Sequence, residues 1–237
     1  MKIDTIPLYS RILASHLSNY TVIVVDVLRA SSSIITAIMN GAQRIVPAAD
    51  PGEAAALAMR LGVRDCVLAG ERGGVRLPDF ALGNSPAEFS REAVGGKQVI
   101  LSTTNGTVAI NGVSSAKTVL IGGLINRTAV ARRALELGDD VLIVCAGTNG
   151  RISADDLCAA GAIAEAMNGL SGKPMEATDF TMVCCMLYAD WREGRADLSV
   201  TEHYARLVKL GFEEDVKYCF RQDITDVVPA YDAGVIS

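Results

Sequence analysis

Four β-branched residues in a row, Val22 to Val25, end on a carboxylate at Asp26. A continuous apolar run this short is the pattern of a strand buried on both faces. Ser31, Ser32 and Ser33 come next, then Ile34, Ile35, Ala37 and Ile38, the pattern of a buried helix opened by a serine cap. Strand, polar turn and buried helix together point to a layered α/β arrangement. In open sheets of that kind, ligands sit where strands stop and helices begin. A helix start also offers free N–H groups and partial positive charge to an anion. Arg29 adds a permanent cation with a fork of donors. Asp26 and Arg29 are therefore the catalytic candidates, and the Ser31, Ser32 and Ser33 turn is a candidate phosphate-binding start.

The rest of the chain repeats this alternation. Strands are expected at Lys2–Leu8, Arg44–Pro47, Cys66–Ala69, Val99–Leu101, Val119–Ile121 and Val141–Cys145. Helices are expected at Arg11–Leu17, at Glu53–Leu61 behind the Asp50-Pro51 start, and at Arg127–Leu137 and Ala154–Met167. The segment from Gly70 to Pro86 reads as loop. After Gly172 the pattern turns helical, at Thr178–Ala189, Val200–Leu210 and Glu213–Phe220. The expected architecture is a three-layer α/β/α fold with a largely parallel or mixed sheet. It forms a single domain over residues 1–237, with a helical C-terminal cover from about residue 173.

Half the residues are hydrophobic and only 5% aromatic, which suits an α/β enzyme better than an all-β sandwich. A formal net charge of −5 argues against nonspecific nucleic-acid binding. No apolar run reaches membrane-spanning length and no signal-peptide layout opens the chain, so a cytoplasmic protein is expected. Its six cysteines contain no C-x-x-C pair, and with only His16 and His203 as imidazoles a zinc site is not expected. A homodimer is the expected assembly, as for many soluble enzymes of this size.

Polar loops recur at the ends of the expected strands. Ser102, Thr103, Thr104, Asn105, Gly106 and Thr107 supply hydroxyls, an amide and flexible N–H groups, the material of an anion nest. Asn84 and Ser85 precede Pro86 in a second polar turn. Asp26, Glu71 and the pair Asp155-Asp156 bring carboxylates to the same edge. Together with waters they would hold Mg²⁺, which prefers oxygen ligands. Cys145 and Arg151 fit a Cys-x₅-Arg phosphatase pattern, with a helix start to lower the thiol pKa. The haloacid-dehalogenase Asp-x-Asp is missing, because Val27 and Leu28 follow Asp26. Neither a Walker loop nor a Gly-x-Gly-x-x-Gly turn is present.

Five stretches carry a resemblance. They are Asp26-Val-Leu-Arg29-Ala-Ser, Gly70-Glu71-Arg72-Gly73-Gly74, Leu82-Gly83-Asn84-Ser85-Pro86, Ser102 to Thr107, and Cys145-Ala-Gly147 through Ser153-Ala-Asp155-Asp156 to Ala160-Gly161. In this order and spacing they resemble the 2-phosphosulfolactate phosphatase (ComB) family, and the tail around His203, Gly211 and Asp215 is similar too. The resemblance implies a Mg²⁺-dependent α/β/α enzyme hydrolysing a phosphate monoester. The family's named substrate is 2-phospho-3-sulfolactate, in coenzyme M biosynthesis. Asp155 stands where family members usually have glutamate, and Cys145 is not essential to the family pattern.

The expected function is Mg²⁺-dependent hydrolysis of a small, highly anionic phosphorylated hydroxyacid. Asp26, Glu71 and Asp156 would hold the metal, with Asp26 as the alternative nucleophile. Arg29, Ser31, Ser32 and Ser33 would bind phosphate. Arg72, Asn84, Ser85, Thr103, Thr104, Asn105, Gly106 and Thr107 would complete the anion subsites. The other readings are a metal-independent cysteine phosphatase built on Cys145 and Arg151, and a noncatalytic anion-binding protein. No nucleic-acid or membrane partner is expected.

Overall fold

Strand and helix alternate through most of the chain. The computed structural model describes residues 1–12, 14–62 and 66–237, and the side chains of residues 14–16, including His16, are outside that description. The first half comprises β1 (Lys2–Ile6), β2 (Tyr20–Val25), α1 (Ala30–Met39), β3 (Arg44–Pro47), α2 (Pro51–Leu61), β4 (Cys66–Arg72), β5 (Val75–Arg76), α3 (Arg91–Val94) and β6 (Gln98–Ser102). There follow α4 (Gly106–Gly112), β7 (Thr118–Gly122), α5 (Arg127–Leu137), β8 (Asp140–Cys145), α6 (Ala154–Leu170), β9 (Glu176–Ala177) and α7 (Asp179–Arg192). The chain closes with α8 (Glu202–Lys209), α9 (Glu213–Cys219), β10 (Ala230–Asp232) and β11 (Val235–Ile236). The helix expected at Arg11–Leu17 includes residue 13, which lies outside the described residues. Short 3₁₀ turns, Tyr9–Arg11 and Ala14–Asn19, flank it.

Alternation along the central strands builds the layers. Val22 and Val24 pack with Ile34, Ile35 and Ile110 on one face, whereas Ile23 and Val25 pack with Ala160 and Ile163 on the other. Both faces are covered, which is why the strand reads as an unbroken apolar run. Helices α1 and α4 lie over the first face. Over the second lie α5, α6 and α7, and the tail adds Leu207, Val216 and Cys219 to the same cluster. Among the described residues no helix is long and apolar enough to cross a membrane.

The sheet is mixed, in the order β5-β4-β6-β3-β11-β10-β7-β2-β8-β1-β9. It contains two parallel blocks, β4-β6-β3 and β7-β2-β8-β1-β9, joined by the antiparallel hairpin β10–β11. This hairpin was not expected, since the tail reads as helical. Three antiparallel steps separate the blocks, so their strands run in opposite senses along the sheet. Twist accumulates at about 20–25° per neighbouring pair, roughly 100° between β6 and β2. Despite the opposite strand senses, the carboxyl ends of β2, β4, β6 and β8 meet at one pocket. A second unexpected hairpin, β4–β5, turns through Gly73 and Gly74 at φ +64° and +87°, a turn that favours glycine.

Helices α6 and α7 approach closely at Gly161. A Cβ there would lie 2.8 Å from the Cys185 nitrogen and closer still to the Cys184 carbonyl. Gly161→Ala is therefore expected to cost about 3 kcal/mol, measured as a lower urea midpoint with an unchanged slope.

Candidate active site

Asp26 directly follows β2 and opens the turn that leads into α1; that turn contains the cis Leu28–Arg29 peptide. Its Oδ1 accepts the Ala30 N–H at 3.2 Å and its carbonyl accepts the Ser31 N–H at 2.8 Å. The strand-end carboxylate, not a serine, thus caps the helix. The three serine hydroxyls serve the backbone instead. Ser31 Oγ accepts the Asp26 N–H at 2.9 Å, Ser32 donates to the Val27 carbonyl at 3.0 Å, and Ser33 donates to the Asn84 carbonyl at 2.8 Å. All three are buried and outside the pocket lining.

The pocket measures about 410 Å³ including its open mouth. Of the residues singled out from sequence, it gathers Asp26, Arg29, Glu71, Asn84, Thr104 and Asn105. Arg29 is buried and fixed from three sides. It donates to Asp215 Oδ2 at 2.6 Å and to the Gly74 carbonyl at 2.9 Å, and stacks 4.0 Å above the Phe212 ring. Ser85 donates to the other oxygen of Asp215 at 2.6 Å and so supports Arg29 from outside the lining. Glu71, on the β4–β5 hairpin, accepts the Thr104 N–H at 2.7 Å and the Gly74 N–H at 2.6 Å.

Several expected residues play supporting parts. Thr103 and Thr107 bond reciprocally, each hydroxyl accepting the other's N–H at 3.0 and 3.1 Å, and so start α4. Gly106 lets that start abut the site, since a Cβ there would sit 2.7 Å from Asp26 Oδ2. Arg72 turns away from the pocket, donating to the Glu71 and Ser102 carbonyls and to Ser102 Oγ. Asp156 accepts the Val27 N–H at 2.9 Å and the Gly147 N–H at 2.8 Å. It ties the loop after β2 to the loop after β8, outside the pocket lining.

The cysteine arrangement does not assemble. Cys145 is buried in the core, and burial first, then the Asp156 charge, push its thiol well above the usual range. The Arg151 side chain is 78% exposed and pairs with Glu202 at 3.6 Å. A protonated core thiol and a solvent-facing guanidinium cannot cradle a phosphate between them.

Thr148, Asn149, His203 and Arg206 also line the pocket and were missed as site residues from sequence. His203 and Arg206 come from α8, part of the helical cover. Arg206 donates to the Gly73 carbonyl at 2.8 Å and has no carboxylate partner among the described residues. A signal did exist: positions 203, 206 and 207 fall on one face of a helix.

The 2-phosphosulpholactate phosphatase family matches residues 7–234 of the chain. The chain belongs to this family. Relatives matched along 97–100% of their length bear the name probable 2-phosphosulfolactate phosphatase. The protein from Clostridium acetobutylicum is 39% identical over 236 residues, covering 100% of both chains. The one from Clostridium novyi is 36% identical, covering 98% of this chain and 97% of its own. The one from Caldanaerobacter subterraneus subsp. tengcongensis is 38% identical, covering 100% and 98%.

For a member of this family, the donor set bears on the magnesium expectation. Among the described residues no three His, Cys, Asp or Glu side chains are grouped to hold a metal by themselves. The trio Asp26, Glu71 and Asp156 is thus not assembled, because Asp156 lies outside the pocket lining that holds Asp26 and Glu71. Asn84 Oδ1, however, is buried beside the pocket without a hydrogen-bond partner among the described residues. Two pocket carboxylates and an orphaned amide oxygen suit Mg²⁺, which takes its remaining ligands from water and substrate phosphate.

Burial raises the Asp26 carboxyl from 3.8 to about 7, opposed by His203 and the Ala30 N–H and reinforced by Asp155 and Glu71. Asp156 is also raised, by burial first and then by the Asp155 and Asp26 charges. Burial alone would lower the His203 imidazole, but Asp155 beside it, with Asp26, outweighs burial and leaves its pKa above the usual histidine value.

Proposed function

We propose that the protein hydrolyses 2-phospho-3-sulfolactate to 3-sulfolactate and phosphate, with Mg²⁺ as cofactor. The observation that carries this reading is the pocket itself: Asp26 and Glu71 face Arg29, Arg206 and His203 in one small site. The substrate presents phosphate, carboxylate and sulfonate, so it needs more than one cation. Arg29 shares its charge with Asp215, whereas Arg206 brings charge with no carboxylate paired to it among the described residues.

Asp26, Glu71 and Asn84 Oδ1 would hold the metal. Bound there, Mg²⁺ would neutralise phosphate oxygens and act as a Lewis acid. Arg29 cannot swing away from Phe212 and Asp215, so its remaining N–H groups are preorganised for phosphoryl oxygens as charge develops on them. Arg206 serves the far end of the substrate. Arg206→Ala is expected to raise KM about 10–100-fold with a smaller change in kcat, as for loss of a charged hydrogen bond.

The test is phosphate release from synthetic 2-phospho-3-sulfolactate and from phospholactate, with Mg²⁺ and with excess EDTA. Release that needs Mg²⁺ and favours the sulfonate-bearing phosphate ester supports the proposal. Release unaffected by EDTA removes the metal from it. Tight binding without release would make the protein an anion-binding module.

A further inference from the structure

Asp155 Oδ2 is buried and makes no hydrogen bond among the described residues. Its charged neighbour is His203 Nδ1, at 3.5 Å. The other oxygen of Asp155 accepts the Ser153 hydroxyl, which fixes the plane of the carboxylate. Thr148 Oγ1 stands 2.8 Å from the same Nδ1. The imidazole thus has one nitrogen held against a hydroxyl and a carboxylate. Its ring lines the pocket, and Nε2 has no hydrogen-bond partner among the described residues.

A carboxylate at Nδ1 keeps the proton there and stabilises the imidazolium, so that Nε2 can give a proton to a bound group. The other cations of the pocket, Arg29 and Arg206, do not release protons. Asp26 and Arg206 also face the ring from the pocket and act on its charge in opposite directions.

We propose that His203 donates the proton to the leaving oxygen of the phosphate ester, with Asp155 as the residue that positions it. The inference rests on the phosphatase reading above. In the step, the bond between phosphorus and the hydroxyacid oxygen breaks, and its electron pair goes to that oxygen. The oxygen takes the Nε2 proton and leaves as the free hydroxyl. Water is the final acceptor of the phosphoryl group, and the proton it loses returns to the imidazole through solvent. An aliphatic alkoxide is a poor leaving group, so its protonation accelerates hydrolysis by about 10²–10⁴-fold.

The test compares His203→Gln with wild type, in Mg²⁺, on 2-phospho-3-sulfolactate and on acetyl phosphate, whose acetate leaves without a proton. The expected loss in kcat is about 10²–10³-fold on the sulfolactate ester and under about tenfold on acetyl phosphate. The isotope effect of ¹⁸O at the bridging position should rise in the variant, because charge then builds on the leaving oxygen. Asp155→Asn should show the same dependence on leaving group, and Asp155→Glu should restore most activity. Equal losses on both substrates with an unchanged isotope effect overturn the inference and leave the phosphatase reading standing. Wild-type protein that releases phosphate from neither substrate overturns both.

Discussion

Asp26→Asn is expected to lower turnover by about 10³-fold or more while making the protein more stable at pH 8. The activity loss follows from removing the carboxylate that faces Arg29 and His203 across the pocket. The gain in stability follows from its burial. Folding raises the Asp26 carboxyl from 3.8 to about 7, so the folded state favours the protonated form. That contribution is complete below pH 3.8 and is lost as pH rises through 7. Above pH 7 the wild-type protein carries a buried, unfavourable charge, and the gap corresponds to roughly 4 kcal/mol at most. Asparagine keeps the acceptor for the Ala30 N–H and removes the charge. Thermal unfolding in EDTA should show the variant more stable at pH 8, with the difference shrinking towards pH 4. A variant less stable than wild type at pH 8 would contradict this account of the site.

The second large effect belongs to the Arg29–Asp215 pair. Both side chains are buried and 2.6 Å apart, and Ser85 and the Gly74 carbonyl complete their bonds. Removing either partner alone leaves a charge without compensation in the interior. Arg29→Met and Asp215→Leu are each expected to cost about 3–5 kcal/mol. The double variant should recover much of that loss, because it buries no charge, and yet remain inactive without the guanidinium. Urea unfolding of the four proteins measures the coupling. Strictly additive costs would mean that the pair is not the unit that holds Arg29.

The sequence makes the layers legible because each is written locally. Val22–Val25 reads as a doubly buried strand, and both faces of it are indeed covered. The β10–β11 hairpin was not legible, since strands of three and two residues carry no periodicity. Its insertion reverses one block relative to the other, a consequence of pairing partners far apart in the chain. Among the pocket-lining residues, Asp26, Arg29, Glu71, Asn84, Thr104 and Asn105 are legible as candidates because polar loops beside strand ends announce themselves. The hydroxyls of Ser31–Ser33 and the guanidinium of Arg72 looked equally available, but their partners are backbone groups that only the fold brings near. His203 enters only through the similar tail and Arg206 not at all, because a lone histidine and arginine on an amphipathic helix form no local motif. Only docking of α8 onto the pocket gives them a role.

The most direct measurement is the amount of phosphate released from 2-phospho-3-sulfolactate per protein molecule, for wild type and Asp26→Asn in Mg²⁺. The account predicts many turnovers for wild type and essentially none for the variant, with both proteins folded. No release by wild type, or equal release by both proteins, would contradict it.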